Sequence, residues 1–111
     1  MPEPGDVVLY KSRFSGFYRT DLDRVLQERG ITTLIVTGCT TSVCVESTIR
    51  DAMFRDYRCL LLEDCTAEPV GQGLPRSNHD ASLLVLQILF GWVSQSAEFI
   101  AAIQGQRAAA A

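Results

Sequence analysis

The chain has a single histidine, His79, no C-x-x-C pair among its four cysteines and no excess of positive charge. Each shortage excludes something. A structural zinc site draws on closely spaced Cys and His ligands, so no metal and no cofactor is expected. Ten Lys and Arg stand against 13 Asp and Glu, for a net charge of −3 and a pI near 5.0. That balance leaves no basic footprint for nucleic acid. No apolar run approaches the ~20 residues of a membrane span. The opening residues Met1–Asp6 lack a basic region followed by an apolar stretch, so no secretory signal is read there and a cytoplasmic location is expected. In that setting Cys39, Cys44, Cys59 and Cys65 are expected to be reduced thiols.

What remains is a globular pattern. The 111 residues are 47% hydrophobic and 21% charged, enough for one small domain with a modest core. Asp6–Tyr10 reads as a strand after a Pro/Gly turn. Thr20 is placed to cap a helix through Leu22, Val25 and Leu26, which Gly30 ends. Ile31–Thr37 is a continuous β-branched run, as expected for a parallel strand buried on both faces. Ser42–Arg55 reads as a helix with Val45, Ile49, Ala52 and Met53 inward. Tyr57–Leu62 reads as a third strand with Glu63 and Asp64 at its carboxyl end.

Thr66–Pro75 then reads as a loop, and Ser77 as the cap of a helix through Ala81, Leu84, Val85, Ile88 and Leu89. Gly91-Trp92 closes that helix, and Ser94–Ile103 is a last short helix or turn. Residues 1–111 form a single domain, with a disordered tail expected over 104–111. The β-α-β-α-β-α order implies an α/β fold, a parallel sheet with helices on both faces.

Chemistry concentrates at Val36-Thr37-Gly38-Cys39-Thr40-Thr41-Ser42-Val43-Cys44-Val45. A strand there ends in a glycine turn and opens into a helix with a cysteine in its first turn. Helix-start N–H groups lack intrahelical partners and carry partial positive charge. A thiol among them gains nucleophilicity, and the same donors can hold an oxyanion. Ligands of parallel sheets bind beyond the strands' carboxyl ends. Lys11, the Gly38–Cys44 turn and Glu63-Asp64 are all expected at such ends, facing one crevice. Cys39, Cys59 and Cys65 read as packing residues, Thr41 and Thr48 as local hydrogen-bond formers that hold the turn, and Phe90 and Trp92 as core or subunit-interface residues. His79 reads as a cap or surface group with no assigned role.

Two linked motifs, Lys11-x-Arg13-Phe14-Ser15-Gly16-Phe17 and Gly38-x-x-Thr41-x-x-Cys44-Val45-x-x-Thr48-x-x-Asp51-Ala52, resemble the isochorismatase-like cysteine hydrolases. Phe90-Gly91-Trp92-Val93-Ser94 is similar to the branch acting on carbamoyl and ureido compounds, which includes biuret hydrolase, ureidoacrylate amidohydrolase and N-carbamoylsarcosine amidohydrolase. The resemblance implies a three-layer αβα, Rossmann-like fold of which this chain matches the C-terminal portion. It implies Cys44 as nucleophile, Lys11 as catalytic lysine, a cis Cys39–Thr40 peptide, and an oxyanion hole from the Thr40 and Cys44 N–H groups. Arg13, Phe14 and Phe17 are expected to contact substrate or to cover the crevice. The implied reaction is hydrolysis of a C–N bond in a small amide, carbamoyl or ureido compound through a Cys thioester, by a homo-oligomer. An isochorismatase-type or nicotinamidase-type activity is an alternative. So is a truncated, inactive fragment or interaction subunit, because the family's catalytic aspartate precedes the lysine strand and Asp6 cannot replace it.

Overall fold

In the computed structural model, which describes residues 1–73 and 78–110, the chain builds a three-stranded parallel sheet with helices packed against it. The elements are α1 (Leu22–Glu28), β1 (Thr33–Cys39), a π-helical turn (Thr41–Val45), α2 (Glu46–Met53), β2 (Arg58–Ala67), α3 (Asn78–Leu89), β3 (Trp92–Ser94) and α4 (Ser96–Ala110). β2 is central, and β1 and β3 each pair with it in parallel. The expected Ser77 cap and the end of the Thr66–Pro75 loop lie outside the described residues.

The core lies between β2, α2 and α3. Ile49 and Ala52 project from α2, Cys59 and Leu61 from one face of β2, and Leu86 from α3; all are buried. Leu62 is buried on the opposite side of β2, which α4 adjoins. Phe17 stacks on Tyr57 with ring centroids 5.8 Å apart, and the Tyr57 hydroxyl donates to Asp23 Oδ1 at 2.6 Å. Those contacts fasten α1 and the segment before it to the start of β2. Gly91, at the entry to β3, lies so close to β2 that an added Cβ would fall 2.3 Å from the Cys59 carbonyl oxygen.

Several expectations are corrected. Asp6–Tyr10 is no strand: a strand exists only through its ladder, and no described strand pairs with this segment, which leaves Val7, Val8 and Tyr10 exposed. β1 is an edge strand rather than one buried on both faces; Leu34 and Val36 are half-buried, and Ile35 is exposed. Glu63 and Asp64 lie inside β2, which continues to Ala67 instead of ending at Leu62. The third strand is Trp92–Ser94, where a helix end was expected.

α3 buries Ser82 and Leu86 and exposes Leu84, Ile88 and Leu89. Apolar residues surround that helix, so periodicity alone does not select its inner face. Met53 and Trp92 are exposed, as are Cys39 and Cys65; only Cys59 of the three supposed packing thiols is buried. Residues 104–110, expected as a disordered tail, continue α4 as helix, in keeping with the helix-forming tendency of Ala, Gln and Arg.

Candidate active site at the end of β1

β1 ends at Gly38 and Cys39, beside Thr66 and Ala67 of β2. The ladder shifts register between Val36 and Gly38, and Gly38 adopts φ +116°, a backbone region that favours glycine. The Cys39–Thr40 peptide is cis. The chain then enters the π-helical turn that carries Cys44 before α2 begins. Cys44 is half-buried there, in a turn wider than the regular first α-helical turn expected from sequence.

Lys11 is the residue brought to it. Its Nζ lies 3.6 Å from Cys44 Sγ and donates to the Arg13 carbonyl at 3.0 Å. The approach is fixed by Thr48, whose hydroxyl donates to the Cys44 carbonyl at 2.7 Å and accepts the Gly16 N–H at 2.9 Å. One threonine side chain thereby joins the Lys11 loop to the Cys44 turn. Lys11, Val36, Gly38, Cys39, Cys44 and Thr48 line a cavity of 180 Å³. A larger cleft of 630 Å³ adjoins it, sharing Cys39 and walled by Thr40, Ala67, Glu68 and the loop through Gly73.

The turn's N–H groups are unequally occupied. Those of Val43 and Val45 both donate to the Thr40 carbonyl, at 3.1 and 3.2 Å. That of Ser42 donates to Glu68 Oε2 at 2.7 Å. Among the described residues, the Cys44 N–H donates to no group outside the turn. Such an arrangement can accept an anion at the thiol while the neighbouring donors hold the backbone still.

The remaining sequence candidates separate. Arg13 is exposed, with Nη1 bonded to the Ser12 carbonyl, and Phe14 is exposed beside it. Phe17 is 5% exposed and packs in the core against Tyr57. Glu63 and Asp64 do not join the crevice. Glu63 accepts from Gln95, and Asp64 accepts from both the N–H (2.8 Å) and the hydroxyl of Ser96, which opens α4. Those Ser96 bonds hold the Asp64 carboxyl below the usual carboxylate range. Among the described residues, no three His, Cys, Asp or Glu side chains group so as to hold a metal ion.

Two residues at the turn went unassigned in the sequence. His79 Nδ1 lies 3.1 Å from the hydroxyl of Thr41, which is fully buried and also 2.9 Å from the Thr66 hydroxyl. Glu68 bonds the turn directly. Both lie more than 20 residues from Cys44 in loops or at a helix start, where no periodicity announces a contact. The one available signal was the scarcity of histidine.

The Isochorismatase domain family model matches residues 1–98. Ureidoacrylate amidohydrolase of Methylobacterium radiotolerans is 50% identical over 102 residues, which make up 92% of this chain and 38% of that protein. A cysteine hydrolase from Pseudomonas syringae pv. phaseolicola superposes with a TM-score of 0.86 at 40% identity, over 95% of this chain and 52% of that one. N-carbamoylsarcosine amidase from Thermoplasma acidophilum gives a TM-score of 0.73 at 33% identity, over 86% and 51%. The α/β fold is shared, and the chain spans about half or less of each relative's length.

Proposed function

This chain belongs to the isochorismatase family, and from that premise we propose that it carries the thiol centre of a hydrolase for a C–N bond in a small ureido or carbamoyl compound. The observation that carries the reading is the meeting of Lys11 Nζ and Cys44 Sγ at 3.6 Å across 33 residues of sequence. The substrate class rests on the relatives named for ureidoacrylate and N-carbamoylsarcosine.

In the proposed reaction the Cys44 thiolate, held by the Lys11 Nζ–H, adds to the substrate carbonyl carbon. The carbonyl oxygen becomes an oxyanion facing the Thr40 and Cys44 N–H groups. The C–N bond then breaks, the nitrogen takes a proton and leaves as ammonia or an amine, and a thioester remains on Cys44. Water adds to that thioester, the acid is released and the thiol is restored. Arg13 and Phe14, exposed beside Lys11, are the proposed substrate contacts.

Ammonia release from biuret, ureidoacrylate-type and nicotinamide-type amides, measured for the chain and for Cys44→Ala, tests the reading. Release that depends on Cys44 supports it; equal release from both contradicts it. The alternative, an interaction subunit without turnover, is favoured by one observation. Among the described residues Lys11 Nζ meets a carbonyl and a thiol but no carboxylate, which leaves the proton step short of a partner. That alternative predicts no Cys44-dependent release with any compound.

A further inference from the structure

We propose that Glu68 is a positioning residue that sets the height of the Cys44 turn and couples it to the cleft wall. The inference rests on the reading of Cys44 as nucleophile. Glu68 follows directly on the end of β2, and its two carboxylate oxygens face two different segments. Oε2 accepts the Ser42 N–H at 2.7 Å, and Oε1 accepts the Val70 N–H at 2.9 Å. Both oxygens are thereby occupied by main chain, so the side chain clips the nucleophile turn to the loop that walls the 630 Å³ cleft.

The turn needs such a clip. π-Helical turns are rare and occur mostly as single turns, often at functional sites, and this one is bonded by groups from outside its five residues. Here the outside groups are few. The Thr40 carbonyl takes the N–H groups of Val43 and Val45, and Glu68 takes that of Ser42. Thr66 and His79 fix the buried Thr41 hydroxyl from below. Glu68 is the charged member of this set, and a carboxylate at a helix-type start is favourably placed. Burial works to raise the Glu68 carboxyl, but the bonds from Ser42 and Val70 and the nearby His79 outweigh it and leave it below its usual range. With Glu68 removed, the Ser42 N–H loses its acceptor, and the turn is free to tighten towards regular helix, carrying Sγ and the Cys44 N–H away from their places. Glu68 touches no substrate; it acts through the turn.

Glu68→Ala and Glu68→Gln, made in the 111-residue chain, test this by amide hydrogen exchange and by the alkylation rate of Cys44 with iodoacetamide. Glu68→Ala is expected to speed exchange at Ser42 and Val70 by about tenfold or more, the loss of a hydrogen bond to a charged group, with Ile49 in the core unchanged. Cys44 alkylation should shift along with it, and where turnover is measurable kcat should fall more than KM rises. Glu68→Gln keeps one acceptor but presents an NH2 group to the other N–H, so an intermediate shift is expected. If Ile49 exchange rises too in Glu68→Ala, the Gln variant decides the matter by the same criteria. Unchanged Cys44 alkylation, or unchanged Ser42 exchange, in a folded variant overturns the proposal. If no compound is hydrolysed even by the unaltered chain, the hydrolase reading fails, while exchange and alkylation still judge Glu68.

Discussion

Two polar clusters stand near the same end of the sheet and serve different ends. At β1 the chain gathers Lys11, Cys44, Thr41, Thr48, Glu68 and His79 around one turn. On β2 it gathers Glu63, Asp64, Gln95 and Ser96 at the junction of β3 and α4. In the second cluster the carboxylates are bonded to the chain that follows β3, so that region is a joint. In the first, the supporting groups are bonded among themselves, and Cys44 lines a cavity. The two clusters thus differ in what they bond: Glu63 and Asp64 bond the chain that follows β3, whereas Cys44, beside Lys11, lines a cavity.

The contrast can be broken most sharply at Lys11. Lys11→Met should lower Cys44-dependent turnover by roughly 10²- to 10⁴-fold, the usual range for a group that manages protons, and leave the thermal midpoint unchanged. A large fall in Tm with intact turnover would reverse the assignment of roles. The opposite pattern is expected at the joint. Gly91→Ala forces a Cβ against the Cys59 carbonyl, which is main chain and cannot move aside. A loss of about 3 kcal/mol in urea unfolding is expected; a neutral result would mean that β3 is not held where the structure has it.

The thiols sharpen the comparison further. Burial pushes the Cys59 thiol up to about 11, whereas Cys39 and Cys65 are exposed. Cys59 should therefore react with iodoacetamide roughly 10²-fold more slowly than either of them near neutral pH, as mass mapping of the alkylated peptides would show.

The smallest effect is expected at Asp64, where the sign follows from its depressed folded value. Its contribution is fully present above the ordinary carboxyl value of 3.8 and is lost as pH falls through the folded value. Asp64→Ala should thus lower Tm at neutral pH, and the gap to the unaltered chain should close in acid. Cys44 alkylation should be the same in both, and a change there would tie the two clusters together.

Lys11 and the Cys44 turn, legible in two local motifs, do meet in the fold at 3.6 Å, and helix α2 is legible because Ile49 and Ala52 recur at helical spacing. The sequence does not carry β3, since three residues leave no periodicity to read. Nor does it select the inner face of α3, where Leu83, Leu84, Val85, Leu86, Ile88 and Leu89 offer apolar groups on every side and Ser82 and Leu86 are the buried ones. Glu63 and Asp64 were drawn to the crevice because β2 was expected to end before them; a ladder partner beyond Leu62, Thr66 with Gly38, carries the strand onward. Glu68 and His79 reach the turn only through tertiary packing. Phe17 shows the converse: it lies in a motif yet serves the core.

The central claim is that Cys44 forms the covalent intermediate. Incubating the chain with a ureidoacrylate-type compound, quenching in acid and mapping the peptides by mass spectrometry tests it most directly. An acyl adduct is expected on the Cys44 peptide, weaker in Lys11→Met and absent in Cys44→Ala. Hydrolysis that proceeds in Cys44→Ala, or an adduct on Cys39 in place of Cys44, would contradict it.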